Sequence, residues 1–429
     1  MNTPTPNLAY WRNREASKGY LLATTFSLTI VGYPVAAPFI QWLSPEGSGP
    51  AIILKIAIVA LCALCFRVFY VRQRIGLSWL LPLSLFLLLY SLRLGENFFA
   101  RDLTWQAEPI AVFRNFFGAG VLPALLLAPS IQEIDERALS KVVMLLAVLF
   151  LIGLIANWEE LAAAAQARQA SLEKLNQISL GAAGVSMALA LMALPTRNAA
   201  SNIVRYALII GLLAAAAFTQ ARGPMVSGAV ALLAAALFSP GRYRTVIVRT
   251  TLLIALAAIV LPPLFDFDFA DFALKRFFVD HADFANSNND SVWLRQRSWA
   301  AAWEQFRQSP IVGDKVFEPT MMSYPHNIFL ESLISVGLIG TTVLIISLLK
   351  CASACRSLLS APDSSNIERI VPILFVKEFV AAQVSGAIWG SGSFIVLSAC
   401  VLTLGASRQY QSCNRLNATT IWRKNYYLR

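Results

Sequence analysis

The chain has 429 residues, of which 57% are hydrophobic and 14% charged, and its mean hydropathy is +0.60. Soluble domains are roughly 45–50% apolar, so the composition excludes an ordinary soluble protein and predicts an all-α polytopic membrane protein. The net charge of +11 predicts no nucleic-acid partner, because anionic membrane lipids account for cations at the inner membrane face.

Twelve apolar runs are long enough for a helix to cross a bilayer core of roughly 30 Å. They lie near residues 20–43, 50–71, 75–92, 110–128, 139–156, 178–195, 203–219, 223–239, 245–265, 326–349, 367–383 and 391–406. These runs predict about 12 transmembrane helices in a single integral membrane domain over residues 1–429. The polar N-terminus has no cleavage signature, so the first helix is expected to stay as a membrane anchor.

The distribution of Lys and Arg predicts the orientation of these helices. If both termini are cytoplasmic, most of the 35 Lys and Arg residues fall on the cytoplasmic side, and every short loop there carries at least two. Cytoplasmic loops are expected to be enriched in this way. The six cysteines fall in helices or on the same side, so no disulfide framework is predicted.

Two loops on the exported side are long. Residues 157–177 are rich in Ala, Glu, Leu and Lys and predict a helical segment lying at the membrane interface. Residues 266–325, between helices 9 and 10, are too long for a passive connector in a compact protein. We therefore expect the larger loop to carry function.

A helix is predicted inside the larger loop, from a cap at Asp290 or Ser291 to a stop before Pro310. Arg295, Trp299 and Trp303 would share one face of this helix. One interpretation is an arginine that projects toward a substrate. The alternative is an interfacial aromatic belt with a snorkelling arginine.

Arg222 lies where two predicted helices meet with almost no loop between them. Pro224 suits the first turn of the second helix, whose N-terminus would point to the exported face. A guanidinium beside a helix N-terminus favours a phosphate site. The alternative is a lone interfacial arginine that meets lipid phosphate.

His326 is one of two histidines in the chain, and Pro325 is placed to begin the apolar helix that follows. We expect His326 in the first turn of that helix, where the helix dipole disfavours an imidazolium. A neutral histidine can act as a general base; the alternative is a hydrogen-bonded interfacial histidine. Asn327 and Glu331 are four residues apart and could orient groups beside it, and Glu331 must be paired or face a wet cavity.

Several of these residues together resemble motifs of the O-antigen ligase family, within a wider group that also contains O-antigen polymerases. The resemblance covers roughly residues 170–345. It is carried by His326-Asn327 followed after nine residues by Gly337-Leu338-Ile339-Gly340, by Arg295 with Trp299, Ser309-Pro310 and Gly313, by Ala221-Arg222-Gly223, and by LNQISLGAAG at 175–184. The chain departs from the family where Gly313-Asp314-Lys315 replaces the usual Gly-x-Gly.

The resemblance implies a glycosyltransferase at the periplasmic face of the bacterial inner membrane. Its donor would be a glycan on undecaprenyl diphosphate and its acceptor the lipid A core, with membrane lipids as surroundings. His326 would be the catalytic base, and Arg222 and Arg295 would bind the diphosphate. Supporting roles are expected for Arg297, Asn327, Glu331, Arg93 and Arg114.

No metal ion or other cofactor is expected for this reaction. Asp266, Asp268 and Asp271 lie among phenylalanines and lack the ligand spacing of a divalent-metal site. Guanidinium groups would then neutralise the charge that a metal neutralises in other transferases.

Three functions remain open from the sequence. The first is ligation of O-antigen to the lipid A core, which the form of the histidine motif favours; the second is polymerisation of repeat units. The third is a carrier or flippase without covalent chemistry. Against a carrier, the chain shows no repeat of two halves and no matching pair of Gly- or Pro-broken helices.

Overall fold

The computed structural model describes residues 8–43, 49–69, 77–99, 109–159, 177–194, 198–219, 221–241, 243–252, 291–318 and 324–426. Within these ranges every regular element is helical, which agrees with the predicted all-α class. Most of the predicted interfacial segment 157–177, the end of the apolar run 245–265 and residues 266–290 of the large loop lie outside the described residues.

Fourteen α-helices are numbered here in chain order, and residues 243–252 are also helical but are not numbered. They are α1 Leu8–Ser27, α2 Tyr33–Leu43, α3 Gly49–Phe69, α4 Leu81–Phe99, α5 Pro109–Phe113, α6 Leu122–Leu127, α7 Glu136–Ala156, α8 Gln177–Ala193, α9 Ala199–Phe218, α10 Arg222–Phe238, α11 Ser291–Gln308, α12 Ile328–Ser360, α13 Asn366–Ala382 and α14 Gly392–Tyr426. Two π-helical segments, Leu28–Gly32 and Arg114–Val121, join α1 to α2 and α5 to α6.

Six stretches of the described chain are long and apolar enough to cross a membrane. They are Ser17–Gln41, Gly49–Phe69, Pro109–Glu133, Glu136–Ala156, Ala199–Phe218 and Ile328–Ser360. Gln177–Ala193 and Gly223–Phe238 are shorter apolar helices. The chain is thus a helical, multi-pass membrane protein, while the count of twelve spans stays a prediction.

The helices that carry the candidate residues pack around α12 and α13. Helix α12 packs against α4, α11 and α14, and α13 packs against α8, α10 and α14. Helix α11 matches the helix that the sequence predicted within the large loop, and it runs from Ser291 to Gln308. Helix α10 likewise begins at Arg222, with Pro224 in its first turn as predicted. These contacts bring the first turn of α12, the loop helix α11 and the end of α13 together.

Helix α12 is broken at Gly337. This glycine has φ +62° and ψ −163°, a backbone conformation that is essentially restricted to glycine. The segment 310–314 fits into the break, because Leu338 N donates to Pro310 O at 2.8 Å and Asp314 N donates to Ile334 O at 2.7 Å. Residues 328–336 therefore form a short helical stub, which is separated from the rest of α12.

Arg93 on α4 holds the broken backbone in place. Its Nε donates to Ser335 O at 2.7 Å and its guanidinium also donates to Val312 O at 2.9 Å and Gly313 O at 3.2 Å. A salt bridge of 2.5 Å joins Arg93 to Glu96. The Arg93 donors thus satisfy carbonyl groups that the helix break would leave unpaired, which is a requirement for irregular backbone at membrane depth.

We expect Gly337→Ala to destabilise the protein strongly. An alanine Cβ would collide with Ile311 O and would also disfavour the positive φ. The cost should be on the order of 3 kcal/mol, seen as a lower melting temperature of the detergent-solubilised protein. Gly95→Ala in α4 is the control, because its Cβ meets nothing within 4 Å. Equal melting temperatures for the two variants would contradict the assigned break.

Candidate functional site

The sequence predicts His326 in the first turn of helix α12, and this prediction is wrong: His326 lies before the helix. Asn327 is the N-cap, and its side chain accepts hydrogen bonds from Phe329 N at 3.0 Å and Leu330 N at 3.1 Å. Asparagine is a strong N-cap residue, so the helix begins at Ile328 and leaves His326 outside. His326 has φ +54°, a left-handed conformation that is costly for a residue with a Cβ and is often found at functional sites.

The His326 ring is enclosed by aromatic side chains. Its centroid lies 4.3 Å from that of Tyr324, and Tyr324 meets Trp389 edge-on at 5.8 Å. His326 Nδ1 and Trp389 Nε1 are buried, and neither has a hydrogen-bond partner among the described residues. Buried polar atoms are usually paired, so two unpaired ring nitrogens in one cluster point to a place that a ligand or water completes.

The environment of His326 keeps its ring neutral. Burial and, to a smaller extent, the nearby positive charge of Arg295 together lower the pKa of His326 from 6.5 to about 4. Burial also raises the pKa of Tyr324, an effect that the charge of Glu331 increases and that of Arg295 opposes. At neutral pH the site therefore holds an uncharged imidazole and an uncharged phenol beside a guanidinium.

Helix α11 is held against the histidine segment by Trp299. The indole Nε1 donates to Pro325 O at 2.7 Å, and Arg295 lies one turn earlier on the same face. Arg295 is half-buried, whereas Arg297 is exposed. Trp303 has no comparable bond in the described structure; it packs on Phe306 with ring centroids 5.2 Å apart. The predicted aromatic face thus includes one residue that fixes Arg295 relative to His326.

Glu331 joins three elements beneath the histidine. Its side chain is fully buried; one carboxylate oxygen accepts from Tyr90 Oη at 2.6 Å, and the other accepts from Ile388 N at 2.9 Å. The sequence expectation that Glu331 must be paired is met by these two bonds. They connect the stub of α12 to α4 and to the turn that follows α13.

That turn, residues 383–391, is a part of the site that the sequence analysis did not identify. Asn327 Nδ2 donates to Gln383 O at 3.4 Å, and Trp389 reaches Tyr324. Its sequence, QVSGAIWGS, indicates only a short connector. The one available signal was a tryptophan next to small residues at the predicted exported end.

The first turn of helix α10 lies against the same turn. A Cβ built on Gly223 would come within 3.2 Å of Ser385 Oγ. The backbone of Arg222 begins α10, while the Arg222 side chain lies outside what the structure describes. The N-cap residue, Ala221, supplies no side-chain cap, so the N–H groups of this turn remain available to a bound anion.

Two arginines predicted as supporting residues lie in other surroundings. The Arg93 donors are bonded to carbonyl oxygens near the Gly337 break, which makes Arg93 a positioning residue. Arg114 lies in the π-helical segment and acts electrostatically on Tyr33 and Lys55, not on His326. Within the described ranges, no group of three or more His, Cys, Asp and Glu side chains could hold a metal ion.

We expect a single-site titration of His326 to give a pKa well below 6.5. In a His281→Gln background His326 is the sole histidine, so histidine-selective NMR labelling reports it alone. Arg295→Gln should raise the pKa by removing a like charge. Arg297→Gln, two residues away and exposed, is the control and should leave it unchanged. A wild-type pKa near 6.5 would contradict the enclosed site.

We also expect Glu331→Gln to lower the melting temperature. Both oxygens of Glu331 accept a hydrogen bond, whereas glutamine has one oxygen and an NH₂ group that cannot accept one. One buried hydrogen bond is therefore lost, which should cost on the order of 1–3 kcal/mol. Ser347→Ala is the control, because that buried hydroxyl bonds only Val343 O within the described helix α12. A Glu331→Gln variant as stable as wild type would show that the two bonds do not hold the turn.

Residues 206–345 match the model of the family described as O-antigen ligase. The match begins in α9 and ends in α12, so it contains Arg222, Arg295, His326 and Glu331. No curated protein matches the chain. The resemblance predicted from the motifs is confirmed: residues 206–345 of this chain match the O-antigen ligase family.

Proposed function

We propose that this protein is a membrane glycosyltransferase of lipopolysaccharide maturation. It transfers O-antigen polysaccharide from undecaprenyl diphosphate to a sugar of the lipid A core, at the periplasmic face of the bacterial inner membrane. The matched family, a membrane class of ligases and polymerases, supports glycan transfer. The choice of ligation rests on the form of the histidine motif, His326-Asn327.

One observation carries the proposal: a neutral, enclosed histidine lies beside an arginine on a separate helix, and a hydrogen bond from Trp299 to Pro325 fixes the pair. Glycan transfer needs a group that accepts a proton and a cation that stabilises a leaving diphosphate. His326 and Arg295 supply these two groups.

The proposed reaction is a displacement at the anomeric carbon of the donor. The oxygen of an acceptor hydroxyl forms a bond to this carbon, and the hydroxyl proton passes to His326. The bond from the anomeric carbon to the diphosphate oxygen breaks, and the diphosphate leaves with the electron pair. Arg295 and Arg222, with the N–H groups that begin α10, stabilise the negative charge that develops there.

Donor binding would strengthen the base. A pKa of about 4 keeps His326 unprotonated at neutral pH but makes it a weak proton acceptor. A diphosphate bound to Arg295 offsets the charge that contributes to the low pKa, so the pKa of His326 rises when the donor is in place. The histidine thus becomes a better base in the presence of its substrate.

The remaining predicted residues act by positioning. Asn327 caps the stub and bonds Gln383 O, and Glu331 holds the turn through Ile388 N. Arg93 supports the backbone at the Gly337 break. Arg297 is exposed on α11 and is assigned an outer contact with the glycan.

The direct test is transfer by the purified protein in nanodiscs, with undecaprenyl-diphosphate-linked glycan and lipid A core as substrates and no metal added. Glycan joined to the core supports ligation. Longer glycan still on the carrier lipid, with no core product, would mean polymerisation. Movement of unchanged donor across the membrane, preserved in His326→Gln, would mean a carrier.

We expect the site variants to separate chemistry from binding. His326→Gln should lower turnover by about 100-fold or more, since general base catalysis contributes roughly 10²–10⁴, and should leave donor binding largely unchanged. Arg295→Gln and Arg222→Gln should weaken donor binding about tenfold as well as lowering turnover. Turnover and donor affinity are measured in the same nanodisc assay.

The matched control is Arg307→Gln, which removes an exposed guanidinium from the same helix as Arg295 and should leave both quantities unchanged. Normal product from the purified His326→Gln and Arg222→Gln proteins would refute the mechanism.

A further inference from the structure

A second polar site lies on the other side of the 383–391 turn. A cavity of about 350 Å³ is lined by residues of α2, α3, α8, α13 and the π-helical segment Arg114–Val121, and by Ser385, Gly386, Gly390 and Ser391 of the turn. This volume is within the roughly 300–1,000 Å³ of small-molecule sites. The turn is therefore a shared wall, because it lines the cavity while its Trp389 contacts Tyr324 of the His326 cluster.

Lys55 brings a positive charge into this cavity. Its Nζ donates to Asn115 Oδ1 at 2.7 Å and lies 4.8 Å from the centroid of the Tyr33 ring. All three residues line the cavity. Within the described residues no carboxylate lies in ion-pair distance of Lys55. The contacts of its ammonium group given above are with neutral groups.

Arg114 adds a second positive charge next to the cavity, although it is not one of the lining residues. It precedes Asn115 in the π-helical segment and acts electrostatically on both Lys55 and Tyr33. Its Nε is buried and has no hydrogen-bond partner in the described part of the chain. Two like charges repel each other, and a buried guanidinium nitrogen without an acceptor is costly.

The carboxylate that lines the cavity does not neutralise this pair of cations. Glu378 is bound by Lys377 Nζ at 2.6 Å, and the Lys377 side chain is fully buried. The Lys377–Glu378 pair is therefore neutral by itself. Lys55 and Arg114 remain as an uncompensated double positive charge among membrane helices, where unpaired charges mark sites for ions or substrates.

We propose that this cavity binds the phosphate group of a membrane lipid. Lys55 Nζ would bind the phosphate oxygens. Arg114 does not line the cavity, but its charge acts on Lys55 and would add to the attraction for the anion, and Ser179 and Ser385 belong to the polar lining. The position of the cavity between apolar helices favours a lipid-borne phosphate over a free ion. Arg295 does not line this cavity, and binding there does not depend on the transfer reaction.

The test compares lipids that differ by phosphate alone. The full-length protein in detergent is titrated with phosphatidic acid against diacylglycerol, with lipid A against its dephosphorylated form, and with inorganic phosphate. Native mass spectrometry gives the affinities. We expect the phosphorylated member of at least one pair to bind about tenfold more tightly or better. No preference for phosphate would overturn the proposal, as would inorganic phosphate binding as tightly as either lipid.

Substitutions of Lys55 and Arg114 test whether the lipid binds in this cavity. Lys55→Gln and Arg114→Gln should each weaken binding of the phosphorylated lipid about tenfold, and Lys55→Arg, which keeps the charge, should restore much of it. Arg307→Gln is the control, because its guanidinium is exposed and pairs with Glu304. Unchanged affinity in both glutamine variants would overturn the assignment.

The arms of the titration also identify the source of the phosphate. Tighter binding of lipid A than of phosphatidic acid would identify the acceptor glycolipid, and equal binding would identify the bulk phospholipid; both support the site. Donor affinity, measured with undecaprenyl-diphosphate-linked glycan, should be unchanged in Lys55→Gln. Failure of this proposal is thereby distinct from failure of the transferase mechanism.

Discussion

Backbone hydrogen bonding in an apolar environment is the constraint on which this site depends. A helix can break at membrane depth only where other groups bond its free N–H and C=O groups. Helix α12 breaks at Gly337, and the segment 310–314 together with the Arg93 guanidinium supplies those bonds. The break creates the stub 328–336, and the N-terminal end of this stub determines where His326 lies.

The polar contacts around the stub fix geometry more than they add stability. A buried carboxylate pays a desolvation cost that its partners largely offset, so Glu331 contributes chiefly by holding Tyr90 and Ile388 at set positions. The bond from Trp299 to Pro325 O does the same for α11. A catalytic group gains from such preorganisation, because less reorganisation is then needed as charge develops. The strained φ of His326 is tolerated because these contacts hold the segment on both sides.

Sequence reasoning identified the elements of the site better than their connections. A capping residue and a following proline predicted α11, and the rarity of histidine in an apolar chain singled out His326. The predicted start of α12 at Pro325 is wrong, because Asn327 is the stronger cap and the helix begins after it. The turn 383–391 could not be predicted, since it binds Glu331 through the backbone N–H of Ile388, and a backbone donor leaves no mark on side-chain identity. Arg93 was recognised as a cation, but its partners are carbonyl groups that become free only when α12 breaks.

The arrangement of charge on the two faces of the turn has an electrostatic reason. Burial is the main cause of the low pKa of His326 and the charge of Arg295 lowers it further; a diphosphate bound to Arg295 would offset the second effect. If Lys55 and Arg114 lay on the same face, their charges would lower the pKa of His326 further and a single bound diphosphate would not offset them. The turn keeps this second pair of cations at a separate cavity. Among the charged groups of the described residues, only Arg295 lowers the pKa of His326, so an anion bound to Arg295 would act on the base directly, whereas one held by Lys55 would not remove that effect.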